Sequence, residues 1–318
     1  MKSDLAGGRV AVTGAKGFIG RHLVEHLISA GADVCALCRR NDADLIAQGV
    51  DVVIGSLEHR ASLTRLVDGA DTVVHCAGNI HATTSKEFDR GNRAGTAHLA
   101  QICVARSLPP RFILMSSVAA RSPEISAYAE SKRGAELALA EHSGNLRWTI
   151  VRPPAVYGPR DTATLKLFKL LRGGLLPVPS RRGNRLSLIF VSDLCEAVIS
   201  LILSSASDGK TFEIRDECEA GYSWLDIANA GGRVFGRHVT CVPVPRVVMS
   251  VVALANQAIC GITRSTPTIT RGKVREIFYK DWVCRENDLT RCTNWRPNVS
   301  IYGGFERSIN WYLENNLL

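Results

Sequence analysis

No clean run of about 18 apolar residues marks a membrane span in this chain. It has no low-complexity tract and no internal repeat, which sets aside linker-like, fibrous and solenoid classes. Basic residues are nowhere packed into one long block and no nucleic-acid-binding motif is visible, so no nucleic-acid partner is expected. The first strand starts by Arg9, and a signal peptide is not expected ahead of it.

What remains is an ordinary soluble composition. The 318 residues are 46% hydrophobic and 22% charged, enough chain for one large or two modest domains around a sizeable core. The formal net charge of +9 fits either a basic solvated surface or an anionic partner such as a phosphorylated substrate or a membrane face. The 10 cysteines are scattered. Cys35 and Cys38 form a C-x-x-C pair, but three positions apart on a strand they face opposite sides, so neither a metal site nor a bridge is expected. Reduced, mostly buried thiols in a cytoplasmic protein are the better expectation.

The chain is organised around Val10-Ala11-Val12-Thr13-Gly14-Ala15-Lys16-Gly17-Phe18-Ile19-Gly20. A short apolar run ends in three glycines spaced three apart and an amphipathic segment follows, the order of strand, tight turn and helix. Glycine permits positive φ and close backbone approach, and free N–H groups at a helix start point at an anion, the geometry that seats a dinucleotide pyrophosphate. The spacing is G-x-x-G-x-x-G, and by itself it also suits a plain surface turn. Ile19, Leu23, Val24, Leu27 and Ile28 continue as a helix-period stripe to Gly31, and Val34 to Cys38 reads as a second buried strand. Where a carboxylate commonly holds the adenosine ribose, this strand ends in Cys38, Arg39 and Arg40. An arginine fork suits a 2′-phosphate, so NADP is favoured over NAD; two solvated loop arginines are the alternative.

Further strands are predicted at Asp51 to Ile54, Thr72 to Cys76 and Arg111 to Met115, alternating with helices as in a parallel doubly wound sheet. Ligands sit at the carboxyl ends of such strands, which places Ser56, Ala77 and Gly78 along a cofactor groove. Tyr128 and Lys132 share a helix face one turn apart, where a cation favours phenolate over phenol. Ser116-Ser117 close the preceding strand and offer a hydroxyl to a substrate oxygen.

Thr13-Gly14-x-x-Gly17-x-x-Gly20, Asn92-x-x-Gly95-Thr96, Ser116-Ser117, Tyr128-x-x-x-Lys132 and Arg152-Pro153-Pro154-Ala155-Val156-Tyr157-Gly158-Pro159 occur in the order of the extended short-chain dehydrogenase/reductases, or NAD-dependent epimerase/dehydratase family. The chain resembles that family over nearly its whole length. The resemblance implies an α/β, Rossmann-type doubly wound parallel sheet in residues 1–160, with later segments returning to it, and a smaller C-terminal α/β substrate lobe in 161–318. It implies Ser117, Tyr128 and Lys132 as the catalytic set, with Tyr128 as acid/base and Lys132 lowering its pKa and holding the nicotinamide ribose. The implied cofactor contacts are Gly14, Gly17, Phe18, Ile19 and Gly20, then Arg39, Ser56 and Leu57, then Ala77 and Gly78. Pro153, Ala155 and Val156 join them, together with Tyr128 and Lys132. Asn92 is implied on a helix behind the active site, and a homodimer is common in the family.

Beyond Gly158, Leu165 to Leu171 reads as a short helix, followed by a glycine- and proline-rich loop carrying Arg172, Arg181, Arg182 and Arg185. The matching family region faces the substrate, so Arg181 and Arg185 are candidate contacts to a phosphate-bearing substrate, a solvated loop being the alternative. Leu186 to Val191 is expected as a strand and Asp193 to Leu203 as a helix, with Asp193 a structural N-cap. Residues 241–262 are the most apolar stretch, with Arg246 the only charge. Their helix starts after Pro245 and reaches about 25 Å, short of a comfortable span. A buried or half-buried helix is expected there; the alternatives are a lid over a lipid-like substrate or a peripheral membrane contact.

Two departures from the family pattern narrow the chemistry. Val118-Ala119 stand where the 4,6-dehydratases carry an Asp-Glu pair. Leu186 stands where many UDP-sugar epimerases carry a diphosphate-clamping arginine, with Arg185 one residue off. These favour an NADP-dependent oxidoreductase interconverting a ketone and a secondary alcohol on a small keto or hydroxy compound. A nucleotide-sugar 4-epimerase or 4-ketoreductase is the first alternative, and a non-catalytic cofactor-bound subunit the second.

Overall fold

The computed structural model describes residues 5–80, 82, 84–180, 183–263, 270–285 and 289–318. Strands and helices alternate from the start: β1 (Arg9–Thr13), α1 (Phe18–Ser29), β2 (Asp33–Cys38), α2 (Ala43–Ala47), β3 (Asp51–Ile54), α3 (Arg60–Leu66) and β4 (Thr72–His75). The alternation continues through α4 (Ser85–Asp89), a π-helical turn over Arg90–Ala94, α5 (Gly95–Val104), β5 (Arg111–Met115), α6 (Ala127–His142) and β6 (Trp148–Arg152). Next come β7 (Ala155–Tyr157), α7 (Thr162–Gly173), β8 (Leu175–Pro179), β9 (Arg185–Leu186), β10 (Leu188–Phe190), α8 (Val191–Leu203) and β11 (Lys210–Glu213). The last elements are α9 (Trp224–Val234), β12 (Thr240–Val244), α10 (Arg246–Thr263), α11 (Arg271–Ile277), β13 (Asp281–Trp282), α12 (Leu289–Cys292) and α13 (Ile301–Glu314).

Seven strands form one parallel sheet in the order β11-β6-β5-β4-β1-β2-β3. The chain runs outward from β1 to β3, then crosses back to lay β4 on the other side of β1. That reversal opens a crevice between the carboxyl ends of β1 and β4, the place where doubly wound sheets bind ligands. The central strands β1, β2, β4 and β5 are buried along nearly their whole length because helices cover both faces. Val10 and Val12 point to a core shared with Leu23, Val24 and Leu27 of α1 and Leu194 and Val198 of α8. Ala11 points to the opposite core, with Leu63 and Leu66 of α3 and Leu99 of α5. The same alternation puts Cys38 in the first core and Cys35 in the second.

Past residue 160 the chain both returns to the sheet and builds a separate core. It contributes α8 to the α1 face and β11 to the sheet edge. Tyr157, Phe168, Phe190, Phe305 and Tyr312 pack edge-on or tilted around one another in the separate core, with neighbouring centroids between 5.1 and 5.6 Å.

Two expectations are corrected here and a third is narrowed. The strand expected over Leu186 to Val191 is split into β9 and β10, and the helix begins at Val191. Asp193 therefore lies inside the first turn of α8, and Phe190 occupies the N-cap. The Asp193 carboxylate instead accepts hydrogen bonds from the backbone N–H groups of Asn298 (3.0 Å) and Val299 (2.9 Å), fastening the approach to α13. The apolar stretch forms α10 directly after Pro245; of the buried or half-buried helix expected there it is the half-buried form, with most of its large apolar side chains outward. Val247 is 74% exposed, Val251 59% and Ile259 59%, while Ala253 is fully covered. Among the described residues, no helix is long and apolar enough to cross a membrane.

Candidate active site

The glycine turn is built by contacts that no side chain tolerates. Gly14 has φ +74, and a Cβ on it would lie 2.6 Å from the Ala77 nitrogen at the end of β4. A Cβ on Gly20 would lie 2.1 Å from the Gly14 carbonyl oxygen. The Gly17 N–H closes the turn on that carbonyl at 2.9 Å. Gly17 is also the N-cap of α1 and offers no capping side chain, so the first N–H groups of the helix remain open to an anion. Beneath the turn lies a buried relay. His75 on β4 sits 2.6 Å from the Thr13 hydroxyl through Nδ1 and 3.1 Å from the Thr96 hydroxyl through Nε2. Thr13 in turn accepts from the Ala77 N–H at 3.2 Å.

A cavity of about 740 Å³ runs over this turn. Gly14, Gly17, Arg39, Ser56, Ala77 and Gly78 line it as the sequence reading expected, and so does Leu57. Phe18, Ile19 and Gly20 lie in the first turn of α1 behind it, and Pro153 and Val156 are not on its wall. Lys16, Arg40, Asn79 and Arg90 line it too, beyond the expected set. Arg39 and Arg40 are exposed on the rim and have no ion-pair partner among the described residues. Lys16 is held 2.8 Å from Asp42, and Glu58 is neutralised by Arg90 at 3.1 Å. The size, the positive-φ turn, the open helix start and the cationic rim together fit a dinucleotide.

Tyr128 and Lys132, also expected as cofactor contacts, are not on the wall of this groove; α6 carries them one turn apart. Ser126 starts the helix by accepting from the Ala129 N–H at 3.1 Å, which sets Tyr128 in the first turn. Lys132 donates from Nζ to the Met115 carbonyl at the end of β5, 2.8 Å away. A Cβ on groove-lining Gly78 would sit 3.6 Å from that Nζ and 2.8 Å from Asn92 Oδ1. Buried Asn92, in the π-helical turn, accepts from the Asn79 N–H at 2.6 Å and donates to Ser131 at 2.7 Å. Asn92 thus locks the loop after β4 to α6.

The two adjacent serines have different fates. Ser116 turns inward and donates to buried Glu136 at 2.6 Å, where Arg152 also binds both carboxylate oxygens at 2.8 and 2.6 Å. Ser117 turns to a second cavity, of about 360 Å³, whose wall it shares with Tyr128. Burial pushes the Tyr128 phenol up to about 12, only partly offset by its hydrogen bond with Ser117. Burial also pulls Lys132 down to about 8, opposed by Cys76 and Glu136. The sequence reading expected Lys132 to draw the phenol toward phenolate. Instead the ammonium is engaged with Met115, and desolvation of the phenol dominates.

The second cavity is walled mainly by apolar and aromatic groups: Val118, Ala119, Trp224, Ile277, Tyr279 and Trp282. Pro154 and Ala155 reach it rather than the larger groove. Arg185 is on its wall, but its guanidinium is turned to backbone, donating to the Ala220 and Gly221 carbonyls at 2.7 Å each. Arg181 lies outside the described residues. Trp224, Tyr279 and Trp282 carry no motif and stand 96 or more residues after Tyr128, so nothing local in the sequence marks them.

Comparison with known proteins supplies four findings. The family model for the NAD dependent epimerase/dehydratase family matches residues 10–214. A ceramide reductase of Caulobacter vibrioides is 34% identical over 310 residues, covering 96% of this chain and 95% of that protein. A human sterol-4-alpha-carboxylate 3-dehydrogenase, decarboxylating, is 29% identical over 241 residues, covering 66% of this chain and 62% of that protein. Among solved structures, a UDP-glucuronic acid 4-epimerase from Bacillus cereus, in complex with UDP-glucuronic acid and NAD, superposes with a TM-score of 0.73. It is 18% identical and covers 96% of this chain and 99% of its own, which speaks for the fold.

Proposed function

This chain belongs to the NAD dependent epimerase/dehydratase family, and from that premise we propose that it is an NADP-dependent reductase of a ketone on a lipid-like substrate. The observation that carries this reading is the pairing of Ser117 and Tyr128 on the wall of an apolar, aromatic cavity. A nucleotide-sugar substrate asks for cations at its diphosphate; the described cations on that wall are Arg185, which donates through Nε and one Nη to backbone carbonyls, and Lys273, which is paired with Glu276 at 3.0 Å. The ceramide reductase and the sterol dehydrogenase among the relatives support an apolar substrate. Arg39 and Arg40 on the rim support NADP.

Gly14, Gly17 and the start of α1 would hold the pyrophosphate of a nicotinamide dinucleotide and Lys132, beside Gly78, its nicotinamide ribose; when bound, the group would supply a hydride for a carbonyl carbon. Ser117 donates a hydrogen bond to the carbonyl oxygen as negative charge develops there. Tyr128 gives that oxygen its proton, leaving a secondary alcohol. A phenol with its pKa held near 12 is protonated at neutral pH, which is the state that reduction requires and oxidation does not. The hydrophobic wall excludes water from the developing charge.

The test follows NADPH consumption with a long-chain 3-keto amide, a short soluble ketone and keto-sugar nucleotides offered in parallel. Turnover of the long-chain ketone, lowered by roughly 10²-fold or more in Tyr128→Phe, is the expected result. Turnover of keto-sugar nucleotides alone, or full activity in Tyr128→Phe, overturns the reading.

A further inference from the structure

α10 is built inside out. Its 18 residues run about 27 Å, and their polar members Asn256 and Gln257 face the protein side. Gln257 accepts a hydrogen bond from the Arg271 N–H at 3.4 Å. Among its described apolar residues, Ala253 and Met249 pack inward, against Val274, Ile277 and Phe278 of the α11 region. The outer face carries Val247, Val248, Val251, Val252, Leu254 and Ile259, between 47% and 74% exposed. Recurrence at i, i+3, i+4 and i+7 makes this one continuous stripe rather than scattered apolar residues. Val242 on neighbouring β12, 41% exposed, extends it past the helix start.

The charge around the stripe is one-sided. Residues 240–280 hold six lysines and arginines against a single glutamate, Glu276. Arg246 stands at the start of α10, and Arg271, Lys273, Arg275 and Lys280 are exposed on and after α11. Glu276 is half-buried and is tied to Ser126 and to Lys273, so it leaves this flank cationic. More than half of the protein's net charge of +9 therefore sits within this one apolar segment and its neighbour.

We propose that the outer face of α10 rests on an anionic lipid bilayer, with its valines at the boundary between headgroups and acyl chains and the basic residues of α11 against lipid phosphates. An exposed apolar stripe flanked by cations is the signature of a helix lying in the interface plane, and the helix is too short and too polar on its inner side to span. The placement has a consequence for the site. Lys273, Glu276 and Ile277 of α11 line the second cavity while Val274 packs against α10, so one short helix separates that cavity from the bilayer. A lipid ketone then reaches Ser117 and Tyr128 from the membrane without crossing water, a step that rests on the function proposed above. Vesicle binding itself needs no turnover.

The experiment is flotation of the full chain with phosphatidylcholine vesicles, with and without phosphatidylglycerol. The expected result is binding to the anionic vesicles that falls roughly tenfold in the double variant Val251→Asp, Val252→Asp and by a similar factor in Arg271→Glu, Arg275→Glu. Both pairs are exposed and lie outside the cavity wall, so thermal melting and turnover of a soluble ketone stay at wild-type levels. If no ketone proves to be a substrate, melting alone certifies the fold and the vesicle result stands. Wild-type protein that stays off anionic vesicles, or aspartate variants that bind them as well as wild type, overturns the proposal. So does sedimentation showing a dimer that the aspartate variant splits while neither form binds vesicles, since the stripe is then a contact between two copies.

Discussion

A guanidinium on the rim of a nucleotide groove discriminates by what it leaves unpaired. Arg39 and Arg40 follow β2 and have no ion-pair partner among the described residues, whereas nearby Lys16 and Arg21 are both drawn to Asp42. A phosphate at the 2′ position gives Arg39 a charge-assisted partner, worth about 1.5–3 kcal/mol. Arg39→Asp replaces that attraction by repulsion and offers a carboxylate to ribose hydroxyls. NADP preference over NAD is expected to fall by at least roughly 10²-fold in kcat/KM, with NAD use unchanged or improved. An unchanged NADP/NAD ratio would place the selectivity elsewhere. The same residue-by-residue view explains what the sequence hid at the reacting centre. Ser116 and Ser117 are adjacent hydroxyls at one strand end, and only the position of Glu136, 20 residues on, decides which turns inward. The Tyr128–Lys132 spacing was legible because a helix fixes it, but the sign of the phenol's shift depends on burial, which spacing does not encode.

At the scale of elements, the first half of the chain was open to reading because each step is local. Short β-branched strands, helix-period stripes and glycine stops give β1 to β5 with boundaries within a residue or two, and the glycine turn with them. The second half resists because its elements are specified by distant partners. Asp193 reads as a cap by position but binds backbone at 298 and 299, and α10 reads as a buried or half-buried helix by composition while its apolar side turns outward. Part of the second cavity's wall comes from α9, α11 and β13, which no motif announces. The local character of the turn makes it testable by one methyl group. In Gly20→Ala, the new Cβ would meet the Gly14 carbonyl and, at 2.9 Å, the Ala15 Cα, and both are backbone with nowhere to rotate. α1 must retreat from β1, at a cost of about 1–3 kcal/mol or more. A melting point lower by several degrees, with dinucleotide affinity weakened more than roughly tenfold, is the expected outcome. Wild-type affinity in this variant would show that α1 can shift without disturbing the anion seat.

For the molecule as a whole, the seam beneath the cofactor groove is also a determinant of acid stability. His75 is fully buried between Thr13 on β1 and Thr96 on α5, and burial pulls its pKa from 6.5 to about 3. The folded protein therefore keeps the ring neutral where the unfolded chain protonates it. Below about pH 6.5 the unfolded state binds more protons, and stability falls as pH is lowered, by about 1.4 kcal/mol per unit for this one group until pH nears 3. His22, lowered mainly by burial, adds in the same sense. Asp216 works against it. Its carboxyl is raised from 3.8 to about 6 by burial, so the folded state holds the extra proton and gains stability as pH falls through that window. Overall acid sensitivity is thus a difference of opposing groups, and a comparison with His75→Asn isolates the histidine. At pH 7 the variant is expected to be the less stable, having lost a side chain that bridges two hydroxyls. Urea unfolding at pH 5 should find that gap narrowed by about 2 kcal/mol, because only the wild type is penalised by protonation of its unfolded state. A gap that stays constant between pH 7 and pH 5 would mean that the ring titrates in the fold as it does in water, and that the relay joining β1, β4 and α5 opens to solvent.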